Sequence, residues 1–186
     1  MKVDDGSLTG HVLPAGTAAP DFELKSSPTT TLRLHDLRGK PVIIAFYPAD
    51  FSPVCGDQIA LYNEILSEFR KYGAEILGIS VDSRWCHAAF AKAKNIRFPL
   101  LADFEPKGKV GRQYGAYRAQ DGTEERALFL IDRHGLISWS YLSPVDVNPG
   151  ADGILDALDA LRAKEEGLPG VNAHRSHSDA DAGARP

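Results

Sequence analysis

The stretch Pro41-Val42-Ile43-Ile44-Ala45-Phe46-Tyr47-Pro48-Ala49-Asp50-Phe51-Ser52-Pro53-Val54-Cys55 changes periodicity partway along. Residues 41–47 are a short, continuous run of β-branched and aromatic side chains, the pattern of a strand buried on both faces. From Pro53 onward the apolar residues Val54, Leu61, Ile65, Leu66 and Phe69 recur at helical spacing, which predicts a helix over 53–72. Ser52 stands as its N-cap and Pro53 at its first position, where a missing N–H is no loss. Gly73 ends it, since glycine accepts the left-handed backbone that closes a helix. A buried strand feeding a capped helix through a short loop is a unit of an open α/β sheet, whose sites lie beyond the carboxyl ends of its strands.

The same alternation continues on the C-terminal side. Residues 75–81 (EILGISV) read as a second buried strand and 83–95 as a helix capped by Ser83. Such alternation implies parallel strands joined by right-handed crossovers. After a short helical piece at 109–114, two strands at 126–132 and 136–141 flank the turn Arg133-His134-Gly135. Asn148-Pro149 then offers a cap and a first-position proline for a last helix reaching about residue 164. Extra strands are expected near 22–24 and 31–34, and no internal repeat is visible. The order β-α-β-α followed by β-β-α is that of a thioredoxin-like fold: α/β, with N-terminal strand additions. Residues 16–166 form its single domain, preceded by an irregular arm over 1–15. Residues 167–186 are rich in Gly, Pro, Ser, Asp and His and have little to bury, so they read as a flexible, disordered tail.

Composition narrows the function classes. With 43% hydrophobic and 25% charged residues in 186, the chain matches an ordinary globular domain. No apolar run approaches the roughly 20 residues of a membrane helix, so no membrane association is expected. The first ten residues include Asp4 and Asp5 and lack the apolar segment of a signal peptide, which makes the cytoplasm the expected compartment. A net charge of −4 argues against a nucleic-acid partner. Two cysteines, Cys55 and Cys86, are too few for a disulfide scaffold. Cys86 and His87 are neighbours without ligand spacing, and His174 and His177 are two lone ligands on a tail, so no metal is expected.

Chemistry is expected where the first strand meets its helix. Cys55 falls in the first helical turn, where unpaired N–H groups and the positive end of the helix dipole face its sulfur. A thiolate is favoured in that setting. The plain alternative is a small buried core cysteine.

Pro48-x-x-x-Ser52-x-x-Cys55 resembles the motif of the peroxiredoxins, the alkyl hydroperoxide reductase and thiol-specific antioxidant family. Phe46-Tyr47-Pro48, Val81-Asp82-Ser83, the FPLLAD of 98–103 and the arginine opening RALFLID are similar to that family too. The likeness runs over roughly 16–161. It implies that Cys55 is the peroxidatic cysteine, which attacks the peroxide O–O bond and becomes a sulfenic acid. Ser52 matches the hydroxyl that hydrogen-bonds sulfur and peroxide, with serine in place of the commoner threonine. Pro48 matches the proline that shields the sulfur from water, and Arg126 the arginine that holds the thiolate and the charge on the leaving oxygen. Gln58 stands where the family often has glutamate. The roles suit the residues: a thiolate beside a permanent cation, in a partly dry site lined with donors, is available at neutral pH. Read without the motif, Arg126 would be a surface charge at a strand start.

The implied function is a thiol peroxidase reducing hydrogen peroxide or small organic hydroperoxides. The sulfur carries the electrons, so no cofactor is expected, and an external reductant, a thioredoxin-like protein or a small thiol, must close the cycle. Cys86 is expected to resolve the sulfenic acid, with a one-cysteine cycle as the alternative and a buried filler as the plain reading. Both helix starts lie at one sheet edge, and neighbouring strands are only about 4.8 Å apart. Successive crossover helices are expected on opposite faces, however. That would set the sulfurs beyond the roughly 7 Å Cα limit for a disulfide and require local unwinding. The family also suggests a homodimer. Two rivals use the same residues differently: a peroxide-responsive sensor or holdase, and a silent thioredoxin-like binding module. Asp50 reads as a solvated loop carboxylate, His87 as structural, and Trp85 and Trp139 as core or interface. Cys55 lacks the cysteine three positions away that a CxxC reductase needs.

Overall fold

The computed structural model describes residues 11–167. Most of the expected arm and all of the expected tail beyond Gly167, with His174 and His177, lie outside the described residues.

A seven-stranded mixed sheet organises the chain. Its strands are β1 (Glu23–Lys25), β2 (Thr31–Arg33), β3 (Val42–Phe46), β4 (Glu75–Ser80), β5 (Leu100–Ala102), β8 (Arg126–Ile131) and β9 (Ile137–Ser143). Strands β6 (Tyr117–Arg118) and β7 (Thr123–Glu124) pair separately. The spatial order is β2-β1-β5-β4-β3-β8-β9. Strands β3, β4 and β5 are parallel, β8 runs antiparallel to β3, and β9 antiparallel to β8. Around the sheet lie the 3-10 turn Leu34–Leu37 and helices α1 (Pro53–Glu64), α2 (Leu66–Lys71), α3 (Arg84–Lys94), α4 (Lys109–Tyr114) and α5 (Asp152–Glu165). This is the thioredoxin-like arrangement, with β1 and β2 as the N-terminal additions.

The alternation of side chains along β3 divides the core in two. Ile43 and Ala45 join Ile59, Tyr62, Phe69, Phe90, Ile154 and Leu158 on one face. Val42, Ile44 and Phe46 join Ile79, Val110, Tyr114 and Phe129 on the other. A strand buried on both faces has no polar positions to spare, which explains the unbroken apolar run of 42–46.

Several expectations need correction. The single helix over 53–72 is two: Ile65 leaves helical geometry at φ −97°, ψ 17°, and α2 restarts at Leu66. Periodicity hid the break because Ile59, Tyr62, Leu66 and Phe69 all serve the same apolar cluster. The last helix starts at Asp152 rather than Pro149. Asn148 instead closes a turn, its Oδ1 accepting the N–H of Gly150, which takes φ +67°. Strand β5 and the pair β6–β7 were not expected as strands, being only two or three residues each.

The expected placement of successive crossover helices on opposite faces is also wrong. Phe90 of α3 packs in the same cluster as Ile59 and Tyr62 of α1. The order β3-β4-β5 advances in one direction across the sheet, and right-handed crossovers taken in one direction lay their helices on one face.

Candidate active site

The loop of residues 47–52 leaves β3 and delivers Ser52 to the head of α1. Ser52 is extended (φ −68°, ψ 142°), so its carbonyl can open the helix while its Oγ turns back toward the first turn. There the Cys55 N–H donates to Ser52 Oγ at 3.5 Å, and the same hydroxyl donates to Cys55 Sγ at 3.0 Å. Pro53 occupies the first helical position. Pro48 sits half-buried at the bend of this loop.

Arg126, first residue of β8, reaches the sulfur from the neighbouring strand, since β8 pairs with β3 with Ala127 opposite Phe46. Its Nη2 lies 3.4 Å from Cys55 Sγ. Nε and Nη2 both donate to the Val145 carbonyl, at 2.9 and 2.7 Å, and Nη1 donates to Gln58 Oε1 at 2.5 Å. Arg126 is 1% exposed, so it is no surface charge. Burying a guanidinium is tolerable when its fork of donors is matched in this way. Cys55, Ser52, Arg126 and Gln58 therefore meet in one cluster, with Cys55 and Gln58 fully buried.

Cys86 belongs to an adjoining cluster. It lies in the first turn of α3, where its N–H donates to the cap Ser83 at 3.3 Å. Its sulfur and the carboxylates of Asp50 and Asp82 lie within 4.8 Å of one another. Burial, reinforced by the two carboxylates, pushes the Cys86 thiol up to about 12. Both cysteines are free thiols.

Asp50 is not a solvated loop residue. It accepts from the Tyr47 hydroxyl at 2.8 Å and contacts His87 Nδ1 at 2.8 Å. Its N–H donates to Asp82 Oδ2 at 2.8 Å. His87 Nε2 faces the Leu101 carbonyl at 3.1 Å, so that nitrogen carries a proton. Tyr47, Asp50 and His87 thus pin the loop before Ser52 to α3. No local pattern could have revealed this, because the partners at 82 and 87 lie more than 30 positions downstream. His87 is buried, with a polar partner at each ring nitrogen. Trp139 packs against the core and stacks on Tyr141 with ring centres 6.1 Å apart. Trp85, by contrast, is 63% exposed and belongs to no core.

A second residue missed in the sequence is Tyr62. Its ring is buried on α1, and its hydroxyl meets Gln58 Nε2 at 3.2 Å and the Gly150 carbonyl at 3.0 Å. The i, i+4 spacing of Gln58 and Tyr62 on one helix was the available signal.

A sulfur at a helix N-terminus, contacted by a hydroxyl and a buried guanidinium on a thioredoxin-like sheet, defines a class of thiol-reactive enzymes. The AhpC/TSA family model matches residues 15–140, and the chain belongs to that family, the peroxiredoxins. Peroxiredoxin tpx1 of Schizosaccharomyces pombe is 35% identical over 164 residues, covering 83% of this chain and 84% of its own. Thioredoxin peroxidase of Echinococcus granulosus is 34% identical over 157 residues, covering 79% and 80%. The crystal structure of the reduced 2-Cys peroxiredoxin of Plasmodium vivax superposes with a TM-score of 0.78 at 28% identity, covering 89% of this chain and 92% of that one.

Proposed function

We propose that this chain is a thiol-dependent peroxidase in which Cys55 reduces hydrogen peroxide or a small organic hydroperoxide. The observation that carries this reading is the contact of Cys55 Sγ with Ser52 Oγ and Arg126 Nη2, at 3.0 and 3.4 Å. The Cys55 thiolate attacks one peroxide oxygen. The O–O bond breaks, sulfur takes that oxygen as a sulfenic acid, and the other oxygen leaves as water or alcohol after gaining a proton. Arg126 stabilises both the thiolate and the charge growing on the leaving oxygen, and Ser52 orients sulfur and substrate. Pro48 helps exclude water from the sulfur. Family membership favours this reading over a sensor or holdase role.

Resolution by Cys86 is the second step of the proposal. Its sulfur attacks the Cys55 sulfenic acid, forming a disulfide and releasing water. Placement of α1 and α3 on one sheet face supports an intramolecular route. The raised Cys86 thiol supports a step that waits for the first turn of α3 to open and separate it from Asp50 and Asp82. A thioredoxin-like protein, or two equivalents of a low-molecular-weight thiol, then returns both cysteines to thiols and is itself oxidised to a disulfide, in keeping with the name of the Echinococcus relative. A homodimer is proposed through β9, a seven-residue edge strand with Tyr141 exposed on it.

The test is peroxide consumption by the wild-type protein and by Cys55→Ser, with peptide mapping after one equivalent of peroxide. Loss of turnover in the variant and a Cys55–Cys86 disulfide within one chain are expected. Turnover by Cys55→Ser would overturn the peroxidase reading. A lasting Cys55 sulfenic acid with Cys86 still alkylatable would replace the two-cysteine cycle with a one-cysteine cycle. Sedimentation at micromolar concentration checks the dimer, which a purely monomeric species would exclude.

A further inference from the structure

We propose that Tyr62 is a positioning residue of this site: its hydroxyl locks the side-chain amide of Gln58 so that the carbonyl oxygen, and not the NH2, faces Arg126. The inference rests on the peroxidase reading of Cys55.

The lock follows from counting protons. A phenol has one proton to give, and the Gly150 carbonyl, 3.0 Å from Tyr62 Oη, can only accept it. Toward Gln58, 3.2 Å away, the hydroxyl therefore presents a lone pair, which accepts from Nε2. Oε1 is then turned to Arg126 Nη1 at 2.5 Å. A flipped amide would set its NH2 against an arginine N–H and its carbonyl against the tyrosine lone pair, two repulsive contacts in a buried place. Burial keeps the phenol protonated, pushing it up to about 12.

The lock matters because residue 58 is glutamine. A glutamate would turn one of two equivalent oxygens to Arg126 whichever way round it sat, with the other drawing the Tyr62 proton away from Gly150, whereas an amide has a wrong way round. The same bond also closes a ring. Gly150 and Val145 lie in the turn between β9 and α5. Val145 holds Arg126 through its carbonyl, Arg126 holds Gln58, Gln58 holds Tyr62, and Tyr62 returns to Gly150. With the guanidinium tied on both sides, its Nη2 is left aimed at Cys55 Sγ.

The test compares four proteins: wild type, Tyr62→Phe, Gln58→Glu, and the double variant. Each is measured for the second-order rate of peroxide with Cys55 and for the pH profile of Cys55 alkylation. In the glutamine background Tyr62→Phe is expected to slow the peroxide reaction about tenfold, the worth of one hydrogen bond, and to move alkylation to higher pH. In the Gln58→Glu background the same substitution is expected to change either quantity by less than about twofold, because the lock has no amide to hold. Equal losses in both backgrounds would assign Tyr62 to packing alone and overturn the proposal, as would no loss in either. Side-chain amide NMR of the reduced wild-type protein provides a second reading that needs no variant. Gln58 NH2 protons with cross-peaks to the Tyr62 ring are expected; cross-peaks to the Arg126 guanidinium instead would overturn it. Turnover by Cys55→Ser would sink the peroxidase reading itself, whereas a Cys55-dependent peroxidase indifferent to Tyr62 sinks only this inference.

Discussion

Arg126 is the single side chain on which the proposed chemistry turns. It offers Nη2 to the sulfur only because Val145 and Gln58 occupy its other donors. Arg126→Ala removes the cation and takes the donor from the Val145 carbonyl and from the buried Gln58 Oε1. The expected result is a loss of about 100-fold to 1,000-fold in the peroxide rate, the scale seen when one transition-state donor is deleted. Stopped-flow measurement of the Cys55 reaction checks it. Arg126→Lys should recover only part of the rate, since an ammonium keeps the charge but cannot hold Val145, Gln58 and the sulfur together. Full activity in Arg126→Ala would remove the residue from the mechanism.

At the scale of elements, two helix starts meet at one sheet edge. Each is capped by a serine whose oxygen accepts the N–H of a cysteine three positions on: Ser52 with Cys55, Ser83 with Cys86. Tyr47, Asp50 and His87 then bind the loop before α1 to α3. The caps govern how readily each first turn opens. Ser83→Ala should cost about 1 kcal/mol of stability. It should also speed formation of the Cys55–Cys86 disulfide after oxidation, because the turn carrying Cys86 frays more often. Quenched non-reducing peptide maps over time measure this, and an unchanged rate would mean that opening of α3 does not limit the step.

For the molecule as a whole, the fold sets a pH dependence through a buried carboxyl pair. Glu124 of β7 is fully buried, with no hydrogen-bond partner for either oxygen, and it packs on Gly111 of α4, where any side chain would collide with it. Burial first, then the nearby Asp103 carboxylate, pushes Glu124 from 4.5 up to about 9. Burial raises Asp103 as well, while it accepts from the N–H groups of Val110 and Gly111. Between pH 4.5 and 9 the folded chain therefore holds a proton that the unfolded chain releases. Stability from this group is complete below the lower value and declines as pH rises through the window. Glu124→Gln should remove that decline, flattening denaturant-derived stability by roughly 1 kcal/mol per pH unit between about pH 6 and 8. Parallel curves for wild type and variant would refute the assignment.

What was legible in the chain was local. The unbroken run of 42–46, the Ser52-Pro53 start, the Ser83 cap and the spacing of Pro48, Ser52 and Cys55 are interactions within a few residues, which periodicity and capping express directly. These identified the sheet unit and the sulfur proposed to react, and through the family motif they pointed to Arg126. What only the tertiary structure decided is everything closed by strand pairing. The register of β3 on β8 brings Arg126 to a cysteine 71 positions away. The one-directional order of β3, β4 and β5 puts α1 and α3 on the same face. Asp50 is buried by His87, and Tyr62 is tied to Gly150, across separations of 37 and 88 residues. No window of sequence contains both partners of such a contact, so a polar side chain reads as solvated until the fold supplies its second half.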